Sequence, residues 1–216
     1  MRFIKELLLA AIFTVLFFLI VMSLLPSKAR VEKQLEIHHP IVQVNDVVKS
    51  FKQYPAWSPW GMRDPQTTYQ VVSTAPEGPG AKVEWDSPRD EWNRSGSLEI
   101  LEQTDNELVK YKLTAPWRGN EKLLALNLVE NDMGGVDASY VLDVDYGWDL
   151  FGRVNGLYLE SHIGDNLLYS LGQIKTKVEA LPDVDYSEDF GQALPALVQV
   201  EPLNVIQING QAATRD

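Results

Sequence analysis

The hydrophobic pattern divides the chain sharply. Leu7 to Leu25 is an uncharged run of 19 residues, flanked by Arg2, Lys5 and Glu6 before it and by Lys28 and Arg30 after it. As a helix such a run spans about 28 Å, close to the hydrocarbon thickness of a bilayer. No polar face breaks it, as one would in a core helix of this length. Beyond it the pattern changes to alternation. Val31, Lys33, Leu35 and Ile37 face one way and Glu32, Gln34, Glu36 and His38 the other, which predicts a first strand over 31–38. After Pro40 the spacing of Val44, Val47, Val48 and Phe51 predicts a helix over 41–51. The prolines and tryptophans of 54–60 predict a short second helix or a turn.

Period-two alternation then returns and repeats. Strands are predicted around Tyr69 and Val71, Ala81 to Trp85, Leu98 to Ile100, Val109 to Leu113, Leu124 to Leu128 and Ala138 to Tyr146. Turn signals separate them at Glu77-Gly78-Pro79-Gly80, Asp105-Asn106, Gly119-Asn120 and Gly134-Gly135. Such short connections imply an antiparallel meander with one apolar face. From Phe151 to Leu181 the apolar positions recur at helical intervals up to Pro182. The glycines predict a kink, or a short preceding helix, near Gly164. The fold class is therefore α+β. A curved antiparallel sheet of about seven strands wraps a long C-terminal helix, with one or two short helices after the first strand and an N-terminal transmembrane helix. Three segments are expected: an anchor and its flanks over 1–30, a helix-grip body over 31–182, and an acidic linker with a short strand-like tail over 183–216.

Charge sharpens this division. The chain has 19 basic and 30 acidic residues, a net charge of -11. Residues 1–30 hold four of the bases and one of the acids, so the remainder carries about -14. This disfavours nucleic acid as a partner, because phosphates call for a basic surface. The chain lacks cysteine, which excludes disulfides, thiolate metal sites and cysteine nucleophiles. Ser27-Lys28-Ala29 has the small-x-small form of a signal-peptide cleavage site. The apolar run, however, exceeds the ~7–15 residues usual there, so a permanent single-pass anchor over residues 7–25 is the expectation. Positive charge is nearly even across the run, with Arg2 and Lys5 against Lys28, Arg30 and Lys33. The acidic body is expected on the extracytoplasmic side, with the cytoplasmic side as the alternative.

The sequence carries no enzyme motif: no G-x-S-x-G elbow, P-loop, G-x-G-x-x-G or H-E-x-x-H. No catalytic residue, metal ligand or cofactor is assigned. Asp143 and Asp145 share a strand face and have the chemistry of a general acid–base pair. The alternation with Leu142 and Val144 instead assigns them to the solvated outer face. The aromatic residues are the better candidates, because ligand pockets are mostly apolar with a few polar groups. Tyr69, Trp85, Tyr111 and Tyr140 lie on apolar strand faces, and Trp57, Trp60 and Trp117 fall near sheet edges or loops. Leu157, Leu167, Leu168 and Leu171 are expected to form the helical wall.

Four stretches, in this order, resemble a known superfamily. They are Tyr54-Pro55-Ala56-Trp57-Ser58-Pro59-Trp60, then Gly80-Ala81-Lys82-Val83-Glu84-Trp85, then Gly96-Ser97-Leu98-Glu99-Ile100. The last is Ile163-Gly164-Asp165-Asn166-Leu167 with Leu171-Gly172-Gln173-Ile174-Lys175. The chain resembles the START-like or SRPBCC superfamily, the Bet v 1-like helix-grip proteins. The resemblance is greatest to the bacterial branch labelled polyketide cyclase/dehydrase-like. It implies a hydrophobic cavity for a lipid or other apolar molecule and implies no shared reaction. Three functions fit: anchored binding of a hydrophobic small molecule or lipid, a cyclase, dehydratase or hydrolase in the same cavity, or a protein-interaction module of the envelope.

Overall fold

The computed structural model describes residues 2–182 apart from Arg63 and Glu91; the tail expected over 183–216 lies outside the described residues. Helix α1 runs Arg2–Leu24. Its Phe3–Leu24 stretch has a mean hydropathy of 2.9, with none of it buried against the protein. It is thus long and apolar enough to cross a membrane, and it is not a core helix of the described fold.

Three residues later the chain enters β1 (Lys28–Ile37). This strand starts earlier than the alternation predicts, because pairing with β7 begins at Lys28 opposite Asp145. Pro40 leads into α2 (Ile41–Val48), which ends before Phe51, and a 3-10 turn covers Tyr54–Ala56. The remaining strands are β2 (Thr68–Val71), β3 (Lys82–Asp86), β4 (Ser95–Thr104), β5 (Leu108–Thr114), β6 (Glu121–Glu130) and β7 (Val136–Asp145). Among the described residues they form one antiparallel sheet in the order β1-β7-β6-β5-β4-β3-β2. A bulge between Ile100 and Glu102 in β4 adds local bend and twist.

Strand alternation sorts the side chains as the sequence predicts. Ile100, Tyr111, Leu124, Leu126, Tyr140 and Leu142 are buried on the inner face. Asp143 and Asp145 point outward, where they pair with Arg30 and Lys28 at 3.4 and 3.7 Å. That outer-face position separates these aspartates from the interior.

The C-terminal helical region is two helices, α3 (Leu150–Gly156) and α4 (Leu159–Glu179). A short preceding helix is therefore present, but the break falls at Leu157-Tyr158 and not near Gly164. Packing explains the position. A Cβ on Gly156 would stand 2.8 Å from the Tyr146 ring, so a glycine, a weak helix former, occupies the last turn of α3. At Gly164 a Cβ would meet only the flexible ends of Lys33 and Glu160, with Lys33 Cε at 2.9 Å, and α4 runs through this position without a break. Lys33 and Glu160 form an ion pair across the same contact.

Leu159, Ile163, Leu167, Leu171, Ile174 and Val178 are the buried stripe of α4. Six such side chains contribute on the order of 10 kcal/mol of gross hydrophobic stabilisation. They press the helix mainly against β1, with further contact to α2 and β7. Asp149 caps the N-terminus of α3 by accepting the Gly152 N–H, and it receives Arg118 on both carboxylate oxygens at 3.0 and 2.9 Å. Both interactions, the backbone N–H first, hold the Asp149 carboxyl below its ordinary pKa.

Arg153 joins α3 to α1. Its guanidinium donates to the Gly147 carbonyl from Nε and Nη2, and from Nη1 to the carbonyls of Ser23 (2.7 Å) and Leu25 (3.2 Å). The last carbonyls of a helix have no partners of their own, so this buried cation acts as a C-terminal cap for α1.

Candidate functional site

Inside the grip, aromatic rings form one connected cluster. Phe51 meets Tyr54 at 5.6 Å and Tyr111 at 5.9 Å between centroids. Tyr54 in turn makes edge contacts with Trp57 (4.8 Å) and Tyr69 (5.6 Å). Tyr54, Trp57, Tyr111 and Tyr140 are fully buried. Trp57 is also held through its carbonyl, which accepts the Ser170 hydroxyl of α4. Trp60 stacks on Trp85 at 5.2 Å, and the Trp85 indole N–H donates to the Asn93 carbonyl. Asn93, in a glycosylation-type triplet, is itself fully buried.

The hydroxyls of Tyr54, Tyr111 and Tyr140 have no hydrogen-bond partner within the protein, nor does that of Tyr69. Burial pushes the phenols of Tyr54, Tyr111 and Tyr140 well upward, and Tyr54 and Tyr111 near Tyr140 add to its rise. Burial raises Tyr69 also; Ser58 beside Tyr54 and Tyr69 tempers both without reaching hydrogen-bond geometry. These groups are therefore neutral donors at physiological pH, not bases. A buried hydroxyl left unsatisfied costs about 1–3 kcal/mol. Three close together mark a place where a water or the polar group of a guest completes the set.

The leucines separate into two pairs. Leu167 and Leu171 are buried against the sheet, as expected for the helical wall. Leu157 and Leu168 are 58% and 43% exposed and are no part of that wall. Leu157 sits in the break before α4, and Leu168 is turned about 100° from Leu167 by the helical period.

Aromatic side chains also line concavities at the surface. A cleft of about 410 Å³, lined by Pro55, Met62, Asp64, Tyr69 and Tyr169, lies beside β2. That volume is within the usual ~300–1,000 Å³ of ligand sites. Through Tyr69 it touches Tyr54 and the buried cluster. The fully buried Asp64 keeps its rim in shape by accepting the N–H groups of Gln66 and Arg89.

The second, of about 220 Å³, lies at the α1 end of the sheet between Trp92, Trp117, Tyr146, Leu159 and His162. Trp92 and Trp117 stack at 5.2 Å with 5° between planes, and Lys122 Nζ stands 4.7 Å over Trp117. Burial lowers the Lys122 pKa, while its ammonium donates to the Gly119 carbonyl.

The sequence candidates thus fall in different places. Trp57, Tyr111 and Tyr140 are buried in the interior, Tyr69 is half-buried at its edge, Trp60 and Trp85 form an adjoining stack, and Trp117 lines the end pocket. Tyr54 and Trp92 were missed as site residues. For Tyr54 the signal was present, since it opens the Tyr-Pro-Ala-Trp stretch. Trp92 stands in a loop without periodicity, and only the fold brings it to Trp117.

No protein-family model matches the chain, and no curated protein matches it. Solved structures do. A solution NMR structure of a protein from Thermobifida fusca matches at a TM-score of 0.56 and 17% identity, over 71% of this chain and 95% of its own. Truncated norcoclaurine synthase from Thalictrum flavum matches at 0.55 and 10% identity, over 72% and 96%. A START superfamily protein from Mycobacterium smegmatis matches at 0.52 and 16% identity, over 71% and 99%. With its order of strands and its gripping helix, the chain has the START-like, Bet v 1-like helix-grip fold.

Proposed function

We propose that this is a membrane-anchored helix-grip protein that binds an apolar small molecule or lipid carrying at least one hydrogen-bonding group. Residues 1–30 serve as anchor and flank, 31–182 as the binding body and 183–216 as an acidic tail. The body stands on the extracytoplasmic side. The observation that carries the reading is the group of buried, unpartnered hydroxyls of Tyr54, Tyr111 and Tyr140 in an otherwise apolar interior. They are arranged to donate to a carbonyl, ester or phosphate oxygen, while Trp57, Leu167 and Leu171 contact the apolar part. The cleft at Tyr69 is the approach.

Native mass spectrometry of the full chain, extracted in mild detergent, tests this. The expected result is a retained apolar molecule whose occupancy falls in a Tyr111→Phe, Tyr140→Phe double variant. A chain that retains nothing, and whose unfolding temperature is unchanged by added membrane lipid extract, overturns it. Protease treatment of spheroplasts tests the side of the membrane, with digestion of the body as the expected outcome.

A further inference from the structure

The surface beside the end of α1 is unlike the rest of the domain. Trp148, Phe151, Leu157 and Tyr158 are 85%, 62%, 58% and 59% exposed, and they fall within eleven consecutive residues. Single exposed apolar side chains are ordinary, but a group of four large ones marks an interaction surface. Helix α3 turns Gly152 and Arg153 inward and Phe151 outward.

This patch is fastened to α1. The Arg153 guanidinium that holds the Ser23 and Leu25 carbonyls lies 5.4 Å from the Trp148 ring. The segment that carries these side chains, α3 and its flanks, is therefore packed against the end of the apolar helix. Its neighbouring charges are already spent: Arg118, 5.8 Å from the Phe151 ring, is paired with Asp149. The patch thus combines the amphipathic rings of a tryptophan and a tyrosine with two purely apolar side chains and paired charges. At the end of a bilayer-length helix, that composition matches the membrane–water boundary.

We propose that Trp148, Phe151, Leu157 and Tyr158 sit in the lipid headgroup–acyl boundary and hold the α1 end of the domain against the bilayer. This rests on α1 being a membrane anchor. One consequence concerns the small pocket: of the residues that line it, Tyr146 and Leu159 flank this segment and Asn155 lies within it, so the proposal places the Trp92–Trp117 stack next to the lipid surface.

The chain has no cysteine, so single-cysteine variants need no background changes. Leu24→Cys, Phe151→Cys, Tyr158→Cys and Asp132→Cys are labelled with a bimane fluorophore in the full chain. Each is reconstituted into phosphatidylcholine–phosphatidylglycerol vesicles containing doxyl-labelled phosphatidylcholine. Asp132, in the β6–β7 turn at the opposite end, is the water control. Labels at 151 and 158 are expected to quench at least about threefold more than at 132, approaching the label at 24. Quenching at 24 together with control-level values at 151 and 158 overturns the proposal and leaves the anchor standing. Control-level values at all positions, 24 included, remove the anchor and the proposal together. An unquenched label at 151, with the unlabelled Phe151→Cys variant forming disulfide-linked dimers, assigns the patch to a second copy and also overturns it.

Discussion

Aromatic side chains gather at two places in this domain and are held in opposite ways. Around Tyr54 the rings of Trp57 and Tyr111 are fully buried, and their polar atoms are left without partners. Beside α1 the rings of Trp148, Phe151 and Tyr158 are exposed, while the polar group among them, Arg153, has every arm occupied. The first region is stable as packing and incomplete as chemistry. The second is complete as chemistry and incomplete as packing. The two proposals give each deficit its complement: a hydrogen-bonding guest in the interior and an apolar surface at the end.

Substitutions separate the two regions by size of effect. Trp57→Ala removes a fully buried ring from the cluster and is expected to cost about 3–5 kcal/mol in urea unfolding. The matching change outside, Trp148→Ala, is expected to stay within about 0.5 kcal/mol in detergent. Equal losses would abolish the contrast. Arg153→Met keeps the stem and removes the buried hydrogen bonds, with an expected loss of about 1.5–3 kcal/mol and faster proteolysis between residues 24 and 28. A smaller effect with informative sign comes from Tyr111→Phe and Tyr140→Phe. With no guest these are neutral or stabilise by up to about 1 kcal/mol; with a guest bound they destabilise by a similar amount. Chemical denaturation before and after lipid stripping reads that sign.

The smallest effect is local and acidic. The Asp149 carboxyl titrates lower when folded than when unfolded, so its contribution is present above its unfolded pKa of about 4. That contribution is lost as pH falls through the folded value. The hydrogen-exchange protection factors of the α3 amides should fall below about pH 4 before those of the sheet amides do; simultaneous loss would show that α3 is not separately held.

Most of the fold was legible because burial on a strand is a period-two property. Val109, Tyr111 and Leu113 alternate with Lys110 and Lys112 wherever the chain travels. The break between α3 and α4 was placed at the wrong glycine because helix propensity treats Gly156 and Gly164 alike. The Tyr146 ring and Lys33 distinguish them, and neither is part of the helical pattern being read. Leu157 and Leu168 read as wall residues because a leucine near a helical stripe is assigned to the core by default. Arg153 carried no signal at all. Its partners at the end of α1 and just beyond it are main-chain carbonyls about 130 positions away, and carbonyls leave no trace in side-chain pattern.

Only Leu25, Pro26 and Ser27 separate α1 from β1. Fully extended, three residues reach about 10 Å. With α1 in a bilayer, the domain has a search radius smaller than its own width. An anchored binding protein of that reach would not be a shuttle that ferries cargo across an aqueous gap. On the proposed function, its guest would have to come along the surface of the membrane, or be handed over by something standing beside it.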